Sequence, residues 1–174
     1  IKNIDLLREN IENIFFKNKR IDAFFACTGK GIQKKVSEMT LEEIDNIYDL
    51  KFRYLIVLAK TYYELCNKFN NKGKLLIISS IADRFSMPKY SAYSSAKHAT
   101  RSFFTAFEKE QKIIKVGMIH PFRIDTEFFN DYDNKPKDWQ MLSSKKVAKS
   151  FVARKNNILS GYYYDGVCVL TRLC

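Results

Sequence analysis

Cysteine and histidine are sparse: four and two in 174 residues. Cys27, Cys66, Cys168 and Cys174 are scattered, no C-x-x-C occurs and no histidine lies near them. That spacing excludes an ordinary zinc site and a disulfide framework, and it fits free thiols in a reducing cytoplasm. No apolar run is long enough to span a bilayer as a helix. Glycine and proline number only six and three, and no repeat, low-complexity tract or linker is present. Acidic residues are also in deficit, 19 against 30 Lys and Arg, which leaves a net charge of +11. A nucleic-acid surface would cluster that charge. Here it is spread in ones and twos and favours Lys over Arg, so a nucleic-acid partner is not expected.

What is present is a foldable core. A hydrophobic content of 46% in a chain of this length supports one domain over residues 1–174. The start, Ile1 to Asn10, reads as an amphipathic helix and not as a leader. It carries no initiator Met, so the chain is expected to begin inside a longer protein.

Periodicity predicts a helix over 4–19, with Leu7, Ile11, Ile14 and Phe15 on one stripe. A short strand over 21–26 leads into the glycine-containing loop 27–31. Thr40 and Glu43 form a capping box that opens a long helix, stopped near Asn70 to Gly73. Lys74 to Ser79 is a continuous apolar run of the kind found in parallel sheets covered on both faces. A loop over 80–91, a helix over 92–112 and a strand over 114–119 follow. Residues 122–142 read as irregular and mobile. A helix over 145–154 turns Val147, Ala148, Phe151 and Val152 inward, and 162–170 is a strand or a hairpin about Asp165-Gly166. Strands alternating with helices argue an α/β fold with a parallel sheet. Gly29, Ser80 and Pro121 each fall just past a strand end, the edge where such sheets bind ligands.

The run from Ser79 to Lys97 carries the chemistry. Tyr93 and Lys97 lie four residues apart, one turn apart on one helix face. About one such pair is expected by chance in this composition, so the weight rests on the surrounding order of strand, paired serines, helix and next strand. Bringing a tyrosine from a pKa of about 10 to about 7 takes roughly 4 kcal/mol. An ammonium about 4 Å away at an effective dielectric of about 20 supplies about that much. An acidified Tyr93 is the expectation.

This arrangement resembles the short-chain dehydrogenase/reductase family from about Ile11 to Gly166. Ala26-Cys27-Thr28-Gly29 looks like that family's N-N-A-G loop, and Pro121 to Thr126 like its P-G-x-x-x-T segment. Ser80, Tyr93 and Lys97 fall on the catalytic serine, tyrosine and lysine. The resemblance implies the C-terminal two-thirds of a Rossmann-like, doubly wound parallel sheet, without the first βαβαβ half. It implies NAD or NADP as hydride carrier, a small-molecule carbonyl or alcohol substrate, and a homodimer or homotetramer. It places Thr28, Gly29, Tyr93, Lys97, Pro121, Ile124 and Thr126 at the cofactor.

Departures are visible. No G-x-x-x-G-x-G occurs in these 174 residues, Lys51 stands where the family has its asparagine, and Phe122 follows Pro121 in place of glycine. Lys51 is read as a second cation at the site or as a helix-surface lysine. The alternative function is a catalytically impaired, dehydrogenase-like binding or scaffold protein. The substrate pocket is expected from 84–92 and 122–142, with Phe85, Phe128, Phe129, Tyr132 and Trp139 lending it apolar surface. His98 is expected to face away, and His120 is a minor candidate for touching substrate.

Overall fold

The computed structural model describes residues 4–129, 132, 136–153, 160–164 and 167–171, with backbone alone for the last two spans. Helix α1 (Ile4–Asn18) precedes strand β1 (Phe24–Ala26). Helix α2 (Leu41–Tyr48) runs through a π-helical turn, Asp49–Arg53, into α3 (Tyr54–Lys68). Then come β2 (Gly73–Ile78), α4 (Ser91–Glu110), β3 (Ile114–Pro121), α5 (Ser144–Ala153), β4 (Ser160–Tyr164) and β5 (Val167–Thr171).

The sheet order is β1-β2-β3-β4-β5, and the first four strands are parallel. The final strand departs from the parallel expectation: β5 pairs antiparallel with β4, Tyr164 opposite Val167. That pairing agrees with the hairpin reading of the tail, while residues 165–166 lie outside the described span.

Strand β2 shows why the apolar run has no polar alternation. Successive side chains point to opposite faces, and both faces are covered. Leu75 and Ile77 pack with Ile11, Phe15, Leu58, Tyr62 and Phe104 from α1, α3 and α4. Leu76 packs on the other face with Ile119, Val147 and Phe151. The capping box at Thr40 is present in both directions: Glu43 N–H donates to Thr40 Oγ1 at 3.1 Å, and Thr40 N–H donates to Glu43 Oε2 at 3.0 Å.

Some expected boundaries and faces shift. The first strand begins only at Phe24, because the Ile21 carbonyl is taken by the Tyr62 hydroxyl at 2.6 Å. The long helix is interrupted by its π turn, in which Tyr54 N–H donates to Asp49 O, five residues back. On α1, Ile11 and Phe15 are buried but Ile14 is 50% exposed. On α5, Val147 and Phe151 face inward, whereas Ala148 and Val152 do not. On α1, Leu7 packs against the same core, so Ile14 alone leaves the expected stripe, and on α5 only the i, i+4 pair reaches the core. The 122–142 segment is not wholly irregular: it holds two short 3-10 turns and a bridge between Ile124 and Leu142.

These faces separate energetically. Phe15→Ala is expected to cost about 3–5 kcal/mol and Ile14→Ala less than about 1 kcal/mol. Urea unfolding of the two variants measures both.

Candidate active site

Two strand ends and two helices build the site. Strand β2 delivers Ser79 and Ser80 at its carboxyl end, and β3 delivers Pro121 beside them. Ser80 caps the short 3-10 turn Ile81–Asp83, its Oγ accepting from Ala82 N–H at 3.1 Å. Tyr93 and Lys97 occupy the first two turns of α4 and are nearly fully buried. The Lys97 ammonium donates to the Ile78 carbonyl at 3.1 Å, so helix and sheet edge are joined at the site. Thr100, one turn on, donates to the Lys51 carbonyl at 2.7 Å and ties α4 to the π turn.

That turn explains Lys51. It is 1% exposed, not a helix-surface residue. A π turn inserts one residue and rotates the side chains after it, and here the inserted stretch carries the lysine inward. Its Nζ lies 5.5 Å from the centre of the Tyr93 ring and 5.4 Å from that of Phe128. Gly29 backs onto it: a Cβ at position 29 would sit 2.7 Å from Lys51 Nζ. Any larger residue there forces the amine to move.

Two cavities meet at the catalytic candidates. The first, about 570 Å³, is lined by Thr28, Gly29, Lys51, Lys97, Pro121, Ile124 and Thr126, among others. The second, about 340 Å³, is lined mainly by Tyr90, Phe128, Phe129, Tyr132, Met87 and Pro88, with Arg123 and Gln33 as polar members. Ser80, Tyr93, Phe122, Phe128 and Phe129 line both. All residues expected at the cofactor therefore share one cavity, and Ser80 and Tyr93 stand between it and an aromatic one. Phe85 and Trp139 do not line the second cavity; they are 63% and 79% exposed. His98 faces away from both, its Nδ1 against Ser94 O. His120 lines neither cavity: it is buried against Asp83.

In the chain by itself Lys97 does not acidify Tyr93. Burial pushes its phenol up to about 12, with Asp83 and Tyr90 adding to the rise and a hydrogen bond to Ser80 opposing it. Lys97 Nζ lies 5.9 Å from the Tyr93 ring centre and donates to the Ile78 carbonyl. Burial also pushes Lys97 down to about 8, against the pull of Asp83. Lys51 falls furthest, to about 6, through burial first and repulsion from Lys97 second. Desolvation outweighs the pairwise attraction that the sequence argument considered alone.

Sequence reasoning missed the buried Asp83–His120 pair and the π turn; of its two readings of Lys51, the lysine stands at the site and not on the helix surface. No local pattern marks any of them, since each depends on which chain segments meet at the sheet edge.

Comparison with known proteins supplies the context. Residues 2–137 match the family model described as short chain dehydrogenase. A short chain dehydrogenase/reductase, dmxR18, of Cryptosporiopsis sp. is 34% identical over 110 residues, covering 60% of this chain and 40% of that protein. A dehydrogenase/reductase SDR family protein 7-like of Dictyostelium discoideum is 28% identical over 130 residues, 74% of this chain and 40% of that protein. The chain thus spans about 40% of the length of these curated relatives. Among solved structures, the alcohol dehydrogenase of Thermococcus sibiricus complexed with 5-hydroxy-NADP superposes with a TM-score of 0.79 at 19% identity, covering 96% of this chain and 68% of that one. The carveol dehydrogenase of Mycobacterium avium in complex with NAD gives 0.79 at 15% identity, covering 94% and 71%. At these identities the structural matches establish the fold.

Lys51 binds fewer protons in the folded chain than in the unfolded one between about pH 6 and its ordinary value of 10.5. Stability therefore rises with pH across that window, and the penalty is fully present below about 6. Lys51→Met is expected to stabilise the protein at pH 6–7 and to flatten that rise. Denaturant midpoints measured from pH 6 to 10 check this; an unchanged slope contradicts the buried amine.

Proposed function

Because the chain belongs to the short-chain dehydrogenase/reductase family, we propose that it forms part of an NAD(P)-dependent oxidoreductase interconverting a ketone or aldehyde and an alcohol. The observation that carries this reading is the shared wall: Ser80 and Tyr93 line both cavities at once. A carbonyl held in the aromatic cavity meets the serine and the phenol at the point where the first cavity opens.

The residues present fit the nicotinamide end of a dinucleotide. Thr28, Gly29, Pro121, Ile124 and Thr126 line the first cavity, and the space a side chain at position 29 would take is held by the Lys51 amine. When bound, the cofactor supplies or accepts hydride, and orientation and electrostatics are left to the protein. Ser80 Oγ orients the substrate oxygen and donates to it as negative charge develops. The Tyr93 hydroxyl gives that oxygen its proton in reduction and takes it back in oxidation. Lys97 holds positive charge behind the phenol, and the proton lost by Tyr93 is replaced through the polar groups lining the first cavity. Tyr93 has the Lys97 ammonium beside it, and an oxidised nicotinamide held in the first cavity would add a second positive charge.

Lys51 bears on the alternative reading of impaired catalysis. An ammonium only donates hydrogen bonds, unlike the amide usual at that position. With its pKa lowered to about 6, Lys51 is mostly an amine at neutral pH, and an amine both donates and accepts. The substitution therefore does not by itself remove a proton path. The second cavity favours a substrate with an apolar portion, since its lining is dominated by aromatic rings.

Tyr93→Phe is expected to lower kcat for carbonyl reduction by the complete protein about 10²–10⁴-fold, with KM little changed. Oxidation of NADH or NADPH across a panel of ketones and aldehydes measures it. Turnover that survives the substitution rules out Tyr93 as proton donor, and no turnover in the parent protein favours the binding or scaffold alternative.

A further inference from the structure

Behind Ser80 lies a buried polar cluster that the reaction described above leaves unused. Asp83, at the end of the 3-10 turn, has no exposed surface, and His120 and Ser79 are 1% and 4% exposed. Carboxylate Oδ2 accepts from the Ser79 hydroxyl at 2.7 Å and meets Nδ1 of His120. The Arg101 guanidinium, on α4 one turn beyond Lys97, donates to the Asp83 carbonyl at 3.2 Å and stands 4.0 Å from Oδ1. Oδ1 itself has no hydrogen-bond partner. An ionised carboxylate without solvent is costly unless its partners hold it well. Four segments converge to hold this one: the end of β2 (Ser79), the 3-10 turn, α4 (Arg101) and β3 (His120).

The location gives the cluster a consequence. Asp83 N–H donates to the Ser80 carbonyl at 3.1 Å and closes the turn that Ser80 opens, while its carboxylate ties that turn to Ser79 and His120. His120 immediately precedes Pro121, which lines the first cavity. One bond from Asp83 to His120 therefore links the Ser80 turn to the cofactor-side end of β3.

We propose that Asp83 is a positioning residue of this site: it locks the Ser80 turn to β3 through His120 and sets a fixed negative charge beside Tyr93 and Lys97. The charge has opposite effects on the two. It raises the phenol's affinity for its proton, which makes Tyr93 a weaker acid, and it raises that of Lys97, which keeps the ammonium charged despite burial. Ser79 just past β2, His120 on β3 and Arg101 on α4 contact Asp83, and its charge reaches Tyr93 and Lys97 on α4. None of them lies on the substrate side of the second cavity except Tyr93. Asp83 thus acts on the pair from the rear and lines neither cavity.

The proposal rests on reading Ser80, Tyr93 and Lys97 as the site, but its test needs no substrate and no turnover. The Lys97 side chain, labelled with carbon-13 and assigned with Lys97→Arg, is titrated by NMR in the full chain. The parent midpoint is expected at about 8. Asp83→Asn keeps the size and removes the charge, and it is expected to move that midpoint down by about one unit. Amide hydrogen exchange is expected to rise at least tenfold over residues 80–84 while Leu75, Leu76 and Ile77 stay protected. Ser79→Ala removes one donor and keeps the charge; it is expected to speed exchange over 80–84 alone. Should Asp83→Asn fail to fold, the Ser79→Ala exchange pattern decides. An unmoved Lys97 midpoint in Asp83→Asn, or exchange that rises uniformly or not at all in Ser79→Ala, overturns the proposal. Absence of carbonyl turnover in the parent protein refutes the oxidoreductase reading and leaves these measurements standing.

Discussion

The hydrogen bond from the Lys97 ammonium to the Ile78 carbonyl, 3.1 Å long, joins the second turn of α4 to the last residue of β2. It fixes where the helix meets the sheet edge, and the site geometry follows from that meeting. With Lys97 held there, Tyr93 falls one turn earlier, over Ser80, and Thr100 falls one turn later, against the Lys51 carbonyl. The apolar faces of α3 and α4 then clamp the arrangement from behind through Leu58, Tyr62 and Phe104. Packing supplies the stability, and the single charged contact supplies the register.

Burial dominates the electrostatics that result. Lys51, Lys97 and Tyr93 all sit out of water, and in each the neutral form is favoured over the charged one. Burial first and repulsion from Lys97 second lower Lys51 furthest, whereas Asp83 holds Lys97 up. Only Lys97 has both a carbonyl acceptor and a nearby carboxylate, so it is the group best able to remain charged at neutral pH. The chain alone thus holds a resting arrangement: an un-ionised phenol, a largely neutral Lys51 and one ammonium. A cationic ligand in the first cavity shifts that balance toward the phenolate, because it adds charge where desolvation has removed it.

Much of this was legible in the residues. The strand over Lys74 to Ser79 followed from its unbroken apolar run, and the capping box at Thr40 from two residues three apart. The expected cofactor-side residues converge on one cavity because Thr28, Gly29, Pro121, Ile124 and Thr126 lie at or beyond strand ends that parallel pairing brings to one edge, and α4 packs Tyr93 and Lys97 against it. The illegible part was tertiary. Ile14 and Ile11 look alike in a periodic pattern, yet only the latter meets α3. For Lys51 the residues left two readings open, and the π turn that carries it inward has no local signal to decide between them. The acidity of Tyr93 was misjudged because a pair distance can be guessed from helix geometry, but desolvation depends on everything packed around the pair. Asp83 and His120 are 37 residues apart, and nothing local couples them.

The central claim is that the cavity bounded by Gly29, Lys97 and Thr126 receives a nicotinamide, with Tyr93 and Ser80 at its inner wall. Titration of the isotopically labelled protein with nicotinamide mononucleotide, followed by amide and side-chain NMR shifts, tests it most directly. The account predicts saturable shifts at Gly29, Lys97, Ile124 and Thr126, with Tyr93 responding and the α1 surface silent. Shifts confined to other surfaces, or none at saturating concentration, would contradict it.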